Sequence, residues 1–121
     1  MNLFKDVFDA ISEKNPEICL IGIWGKDGLE LEKAVYAPVD MELELLGAEI
    51  ADVVSRIDTT KLFSGEYGME YPYRGLKVNA FSLTAGYFLL TVSTKNVIPG
   101  KLKFYLDLNR QKFQSLLQIC F

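Results

Sequence analysis

Residues 18–57 read ICLIGIWGKDGLELEKAVYAPVDMELELLGAEIADVVSRI, and the rest of the chain can be read as cover or extension of this unit. Ile18–Trp24 is apolar at every position except Gly22, the pattern of a strand covered on both faces. Gly25-Lys26-Asp27-Gly28 reverses the chain, since an Asp-Gly pair is a strong hairpin signal. Leu29, Leu31, Val35 and Ala37 then alternate with Glu30, Glu32, Ala34 and Tyr36, which predicts a second strand with one face near water. Lys33 breaks the apolar series and marks an exposed end or a local irregularity. Pro38 stops the strand, and Asp40 is a good N-cap for a helix running to Ile57. Glu42 and Glu44 lie in its first turn, where the helix dipole favours negative charge. At about 100° per residue, Leu43, Leu46, Ile50, Val53, Val54 and Ile57 share one side. Glu42, Glu49, Asp52 and Arg56 lie opposite. Gly47, Ala48 and Ala51 keep one flank thin, and Leu45 falls among the charges as a candidate contact.

Working outward, residues 2–14 form a first amphipathic helix, with Leu3, Phe4, Val7, Phe8 and Ile11 at helical spacing. Asn15-Pro16 ends it, because the residue before proline disfavours helical geometry. Residues 58–66 read as a loop. Tyr67, Met69, Tyr71 and Tyr73 alternate along a third strand, and Pro72, which cannot donate to a ladder, predicts that it lies at an edge. Arg74-Gly75 turns the chain into a fourth strand, where Leu76, Val78 and Ala80 alternate with Lys77, Asn79 and Phe81. Thr84-Ala85-Gly86 turns it again into Tyr87–Ser93, with Phe88, Leu90 and Val92 on one face. After Asn96-Val97-Ile98-Pro99-Gly100 the period is ambiguous. Leu102, Phe104, Leu106 and Leu108 fit a strand, whereas Leu102, Leu106, Phe113, Leu116, Leu117 and Cys120 fit a helix. Length favours the helix, because strands of nearly twenty residues are rare. The predicted order is α-β-β-α-β-β-β-α, an α+β domain spanning 1–121 with a five-stranded antiparallel sheet and helices on both faces.

Composition narrows the function. The chain has 121 residues, half of them hydrophobic, and a net charge of −3. That is enough for a core without disulfide staples, and some of the apolar excess is available to cover an interface. No basic cluster argues for nucleic acid. The longest apolar runs fall far short of the roughly 20 residues that a spanning helix needs, so membrane insertion is not expected. The first residues lack the pattern of a signal peptide, and the two cysteines, Cys19 and Cys120, form no framework, so a cytoplasmic location is expected. Histidine is absent, which removes the commonest general base and metal ligand at neutral pH.

The motifs that could carry chemistry are weak. Gly22, Gly25 and Gly28 recur near Lys26, but a phosphate loop needs a longer glycine-rich span ending Gly-Lys-Ser/Thr before a helix. Glu30 and Glu32 share a strand, yet nothing else converges on them. Cys19 sits in an apolar strand with no histidine to activate it. Trp24 at a strand end reads as packing. No catalytic residue, metal site or cofactor is expected.

Taken together, the short first helix, the Ile18–Trp24 strand, Asp27-Gly28-Leu29, the capped helix from Asp40, the Gly86-Tyr87-Phe88-Leu89-Leu90 strand and Asn96…Gly100-Lys101-Leu102 resemble the roadblock family, the dynein-light-chain roadblock type, and more closely its bacterial members. The tyrosine-rich third strand departs from that pattern. The resemblance implies a noncatalytic homodimer or heterodimer whose sheets join edge to edge, with central helices side by side. It also implies a Ras-like small GTPase as partner. Leu45, Gly47, Ala48, Ala51 and Asp52 on the helix, with Tyr67, Met69, Tyr71 and Tyr73 on the edge strand, are then the interface candidates. A scaffold subunit of a larger complex, or a small-molecule sensor of profilin-like fold, is the alternative.

Overall fold

The computed structural model describes residues 3–39, 47–49, 51–52, 68–73, 75–83 and 86–120. Its elements are α1 (Leu3–Lys14), β1 (Ile18–Gly25), β2 (Glu30–Val35), β3 (Gly68–Tyr73), β4 (Leu76–Ser82), β5 (Tyr87–Thr94) and a long final helix, Pro99–Cys120. Between β2 and β3, residues 47–49 and 51–52 are helical and are called α2, so the final helix is α3. The strands form an antiparallel sheet in the order β2-β1-β5-β4-β3. The apolar series Leu43, Leu46, Ile50, Val53, Val54 and Ile57 lies outside the described residues, as do Asp40 and the loop at 58–66.

The sheet is apolar on both faces. On one, Phe4, Phe8 and Ile11 of α1 and Leu102, Leu106, Phe113 and Leu117 of α3 pack over Ile18, Ile21, Ile23 and Leu89. Phe8 and Phe113 join the two helices, with ring centroids 5.6 Å apart. On the other, Leu20, Trp24, Val78, Ala80, Phe88, Leu90 and Val92 form a second cluster that includes Ala51 of α2. This is why Ile18–Trp24 carries no solvated face.

Two bulges set the phase of the strands. Ile18 pairs with Ser93 and Leu20 with Val92, so Cys19 is an extra residue in β1. Its carbonyl accepts from the amides of Tyr36 (2.7 Å) and Ala37 (3.1 Å). In β2, Ile23 pairs with Glu32 and Trp24 with Glu30, which leaves Leu31 as the extra residue. A bulge shifts which residues face inward. Leu31 before the shift, and Ala34 and Tyr36 after it, pack on the α1 side, while Val35 is 53% exposed. The expected series Leu29, Leu31, Val35 and Ala37 therefore does not share a buried face. The irregularity sits at Leu31, and exposed Lys33 is held at 3.1 Å by Glu30.

Local bonds explain the ends of elements. The side-chain amide of Asn15 donates to the Ile11 carbonyl at 3.0 Å, and its backbone amide reaches the carbonyls of Ile11 and Ser12, so α1 stops there. Tyr36 donates its hydroxyl to Asp9 at 2.6 Å and fastens β2 to α1. Burial and the Asp9 carboxylate push the Tyr36 hydroxyl pKa well up. The hydrogen bonds from Tyr36 and Lys5 hold the Asp9 carboxyl below its usual value. Pro99 opens α3, where a missing N–H costs nothing. Gln114 donates to the Leu83 carbonyl at 2.9 Å and ties α3 to the end of β4.

Three buried polar atoms on the α1–α3 side of the sheet have no hydrogen-bond partner among the described residues: Asn79 Oδ1, Thr91 Oγ1 and Ser93 Oγ. Thr91 is fully buried and pairs across the sheet with Asn79 and Ile21. A buried hydroxyl that makes no bond has been desolvated without compensation. Thr91→Val should therefore leave stability unchanged or raise it by up to about 1 kcal/mol. Urea unfolding followed by the fluorescence of Trp24, the single tryptophan, measures this. A loss larger than about 1 kcal/mol would show that the hydroxyl is bonded in solution.

Candidate functional site

The Gly25–Leu29 turn is a closed hairpin. Gly25 N donates to the Leu29 carbonyl at 2.9 Å, and Gly28 N to the Gly25 carbonyl at 3.0 Å. Leu29 N donates to Asp27 Oδ1 at 3.0 Å. Lys26 N donates to the Gly86 carbonyl at 2.9 Å, which joins this turn to the one between β4 and β5. Gly28 has φ +87°, the left-handed conformation that a hairpin turn requires and glycine adopts without strain. A phosphate cradle needs convergent unpaired amides, and the amides of Gly25, Lys26, Gly28 and Leu29 are already engaged. Cys19 is buried, and burial pushes its thiol pKa up, the opposite of what a nucleophile needs. Among the described residues no group of three or more His, Cys, Asp or Glu side chains converges.

The surfaces are more informative. Among the described residues β3 pairs only with β4, from Gly68 opposite Phe81 to Tyr73 opposite Leu76. It is an edge strand that contains Pro72, as the proline required. Met69, Tyr71 and Tyr73 are three of its positions; Tyr67 lies outside the described residues. An edge strand presents unpaired backbone groups to any chain that can pair with them.

On α2 the thin flank divides. A Cβ on Gly47 would lie 2.6 Å from Trp24 Nε1 and 2.7 Å from Trp24 Cδ1. Ala51, one helical turn on, is also buried, in the cluster with Val78 and Ala80 of β4. Gly47 and Ala51 thus pack within this subunit, against Trp24 and β4 respectively. The physical reason is the bulk of Trp24, which only a glycine can cover at this distance. Ala48, Glu49 and Asp52 are exposed or lie towards the outer side, with Ala48 beside the hairpin: a Cβ on Gly28 would be 3.2 Å from the Ala48 Cα. Leu45 lies outside the described residues.

A third surface was not foreseen. Leu108 and Phe104 of α3 are 64% and 59% exposed, whereas Leu102 and Leu106 are buried. The strand-like alternation of these four leucine and phenylalanine positions was the signal. In a helix, residues two apart face nearly opposite ways, so the same alternation gives α3 two apolar faces.

Neither a protein-family model nor a characterised relative matches the chain by sequence. Solved structures do match it over nearly its whole length. MglC from Myxococcus xanthus is 12% identical, with a TM-score of 0.69 over 94% of this chain and 98% of that one. The gliding protein MglB from Thermus thermophilus is 14% identical, with a TM-score of 0.75 over 93% and 87%. A Roadblock/LC7 domain from Streptomyces avermitilis is 10% identical, with a TM-score of 0.72 over 91% and 93%. The fold is that of the roadblock/LC7 domain, an α+β architecture.

The Trp24–Gly47 contact makes a sharp prediction. In an open helix Gly→Ala stabilises by about 1 kcal/mol. Here Gly47→Ala should instead destabilise by roughly 1–3 kcal/mol, because the new methyl overlaps the indole. Adding Trp24→Phe removes Nε1, the atom nearest the new methyl, together with the fused ring, and so relieves part of the overlap. Thermal melts followed by circular dichroism should therefore give a double variant less destabilised than the sum of the singles. Simple additivity would contradict the packing described.

Proposed function

We propose that this protein is a noncatalytic interaction module that forms a homodimer through β3 and the outer side of α2, and that the dimer binds and regulates a Ras-like small GTPase. The observation that carries the reading is the edge position of β3 in a sheet of roadblock type, with Ala51 of α2 packed in one cluster with residues of the adjacent β4. Pairing of two β3 edges would satisfy the backbone groups of both. It would also bring the outer sides of two α2 helices, bearing Ala48 and Asp52, towards each other. Met69, Tyr71 and Tyr73, with Tyr67 in the sequence just before them, complete this interface. Its composition fits, since tyrosine and methionine are enriched at interfaces.

The GTPase reading rests on the fold shared with MglB and MglC and on the sequence pattern. A scaffold subunit would use the same edge with a different roadblock chain, and mixing with such chains separates the two readings. The sensor alternative asks for a sizeable enclosed cavity between sheet and helix. On the α3 side of the sheet the cavity lined by Phe81, Leu83, Leu89 and Leu106 is only about 10 Å³, whereas a hollow of about 490 Å³ lies between the β1–β2 hairpin and Ala48 of α2, lined by Trp24, Asp27, Gly28, Leu29, Glu30 and Lys33. The interaction module is preferred on the edge position of β3, and a small molecule bound in the hairpin hollow would favour the sensor instead. The expected location remains the cytoplasm; no described helix is long and apolar enough to cross a membrane.

The test is capture of the Ras-like GTPases of the same organism, each loaded with GDP or a GTP analogue, on the immobilised protein. Binding of at least one in a nucleotide-dependent way is expected. Leu45→Asp and Ala48→Glu should each weaken that binding about tenfold or more. Both should leave the melting temperature close to wild type. No capture in either nucleotide state across the full set would refute the proposal.

A further inference from the structure

The layer formed by α1 and α3 covers the sheet face opposite α2, so a dimer joined at β3 and α2 leaves it bare. Between the two helices runs an open groove of about 560 Å³, with an apolar floor of Leu3, Val7 and Leu116. Leu108 stands 64% exposed at its lip, and Phe104, one turn earlier on α3, is 59% exposed. Neighbouring exposed apolar side chains beside an apolar groove are a feature of interaction surfaces.

Charge indicates by what. The groove has Asp6 on its α1 side and Lys112 on its α3 side. Both are exposed, and neither forms an ion pair among the described residues. A purely acidic partner helix would meet Asp6, and a purely basic one would meet Lys112. An anionic lipid surface would likewise meet Asp6. A second copy turned about a two-fold axis along the groove meets neither conflict. Each Asp6 then faces the partner subunit's Lys112, and the same favourable pairing occurs twice, as an isologous contact requires.

We propose that the α1–α3 groove is a second self-association surface, at which two copies of this chain meet about a two-fold axis with the exposed Leu108 of each covering the apolar floor of the other. This surface is separate from the β3 edge and does not depend on the GTPase reading. Combined with the edge contact, it joins dimers into tetramers. Without the edge contact, it gives dimers only.

Sedimentation velocity over a wide concentration range tests it, with wild type compared against Leu108→Glu, Asp6→Lys, Lys112→Glu and the Asp6→Lys/Lys112→Glu double variant. The altered side chains are exposed, so circular dichroism and melting temperature should match wild type. Leu108→Glu should abolish the groove contact, leaving the edge dimer if that forms and the monomer if it does not. Each charge reversal should weaken the contact about tenfold, because like charges are then opposed twice across the axis. The double variant should restore it, since every pair is again unlike. Three results would each overturn the proposal: wild type that never exceeds a single edge dimer, a concentration-dependent mass that Leu108→Glu leaves unchanged, or a double variant no stronger than the singles. If the edge dimer fails while the groove contact persists, Tyr71→Pro in β3 will leave the mass unaltered and Leu108→Glu will give monomer.

Discussion

The placement of the Trp24 indole governs the structure around it. The side chain is 1% exposed, and it lies so close to Gly22 and Gly47 that a Cβ on either would fall within 2.7 Å of a ring atom. One glycine belongs to the same strand, and the other is brought by α2. The indole thus occupies a slot that exists only because both sides lack a side chain. A buried tryptophan contributes a large apolar area, and here that area fixes how close α2 sits to the sheet. Once Gly47 and Ala51 are turned inward, Ala48 and Asp52 must face out. The direction of the proposed interface follows from a packing constraint inside the subunit.

The same region shows what could and could not be read in the sequence. The strand at Ile18–Trp24, the Asp27-Gly28 turn, the edge character announced by Pro72 and the α+β class were legible, because each has a strong local cause. The roles of Gly47 and Ala51 were not, since small residues on a helix serve close approach to any neighbour, and nothing local says whether that neighbour is one's own tryptophan. The phase of β2 was lost for a different reason. A single extra residue at Leu31 exchanges inward and outward positions, and a bulge has no dependable sequence signature. In α3 the mixed period looked like noise between two templates. It records a helix apolar on its core side and apolar again, through Phe104 and Leu108, on its outer side.

Among the described residues, several polar groups that the sequence offered as candidates are engaged in structure. The hairpin amides close the turn, the Tyr36 hydroxyl fastens β2 to α1, and the Cys19 carbonyl serves two amides beside a bulge. What remains available is surface: the β3 edge, the outer side of α2, and the α1–α3 groove. These lie on different sides of the sheet, so they can be occupied together. Both proposed contacts join copies of this chain, one at the sheet edge and one at the α1–α3 groove.

The central claim is that β3 is where two copies meet. Hydrogen–deuterium exchange at low and high protein concentration, read peptide by peptide, tests it most directly. The outward-pointing amides among residues 68–71 and 73 should exchange at least about tenfold more slowly in the associated state. Those of β2, the edge at the other end of the sheet, should keep one rate throughout. Protection that appears in β2 instead, or β3 amides whose exchange ignores concentration while the protein is shown to associate, would contradict the account.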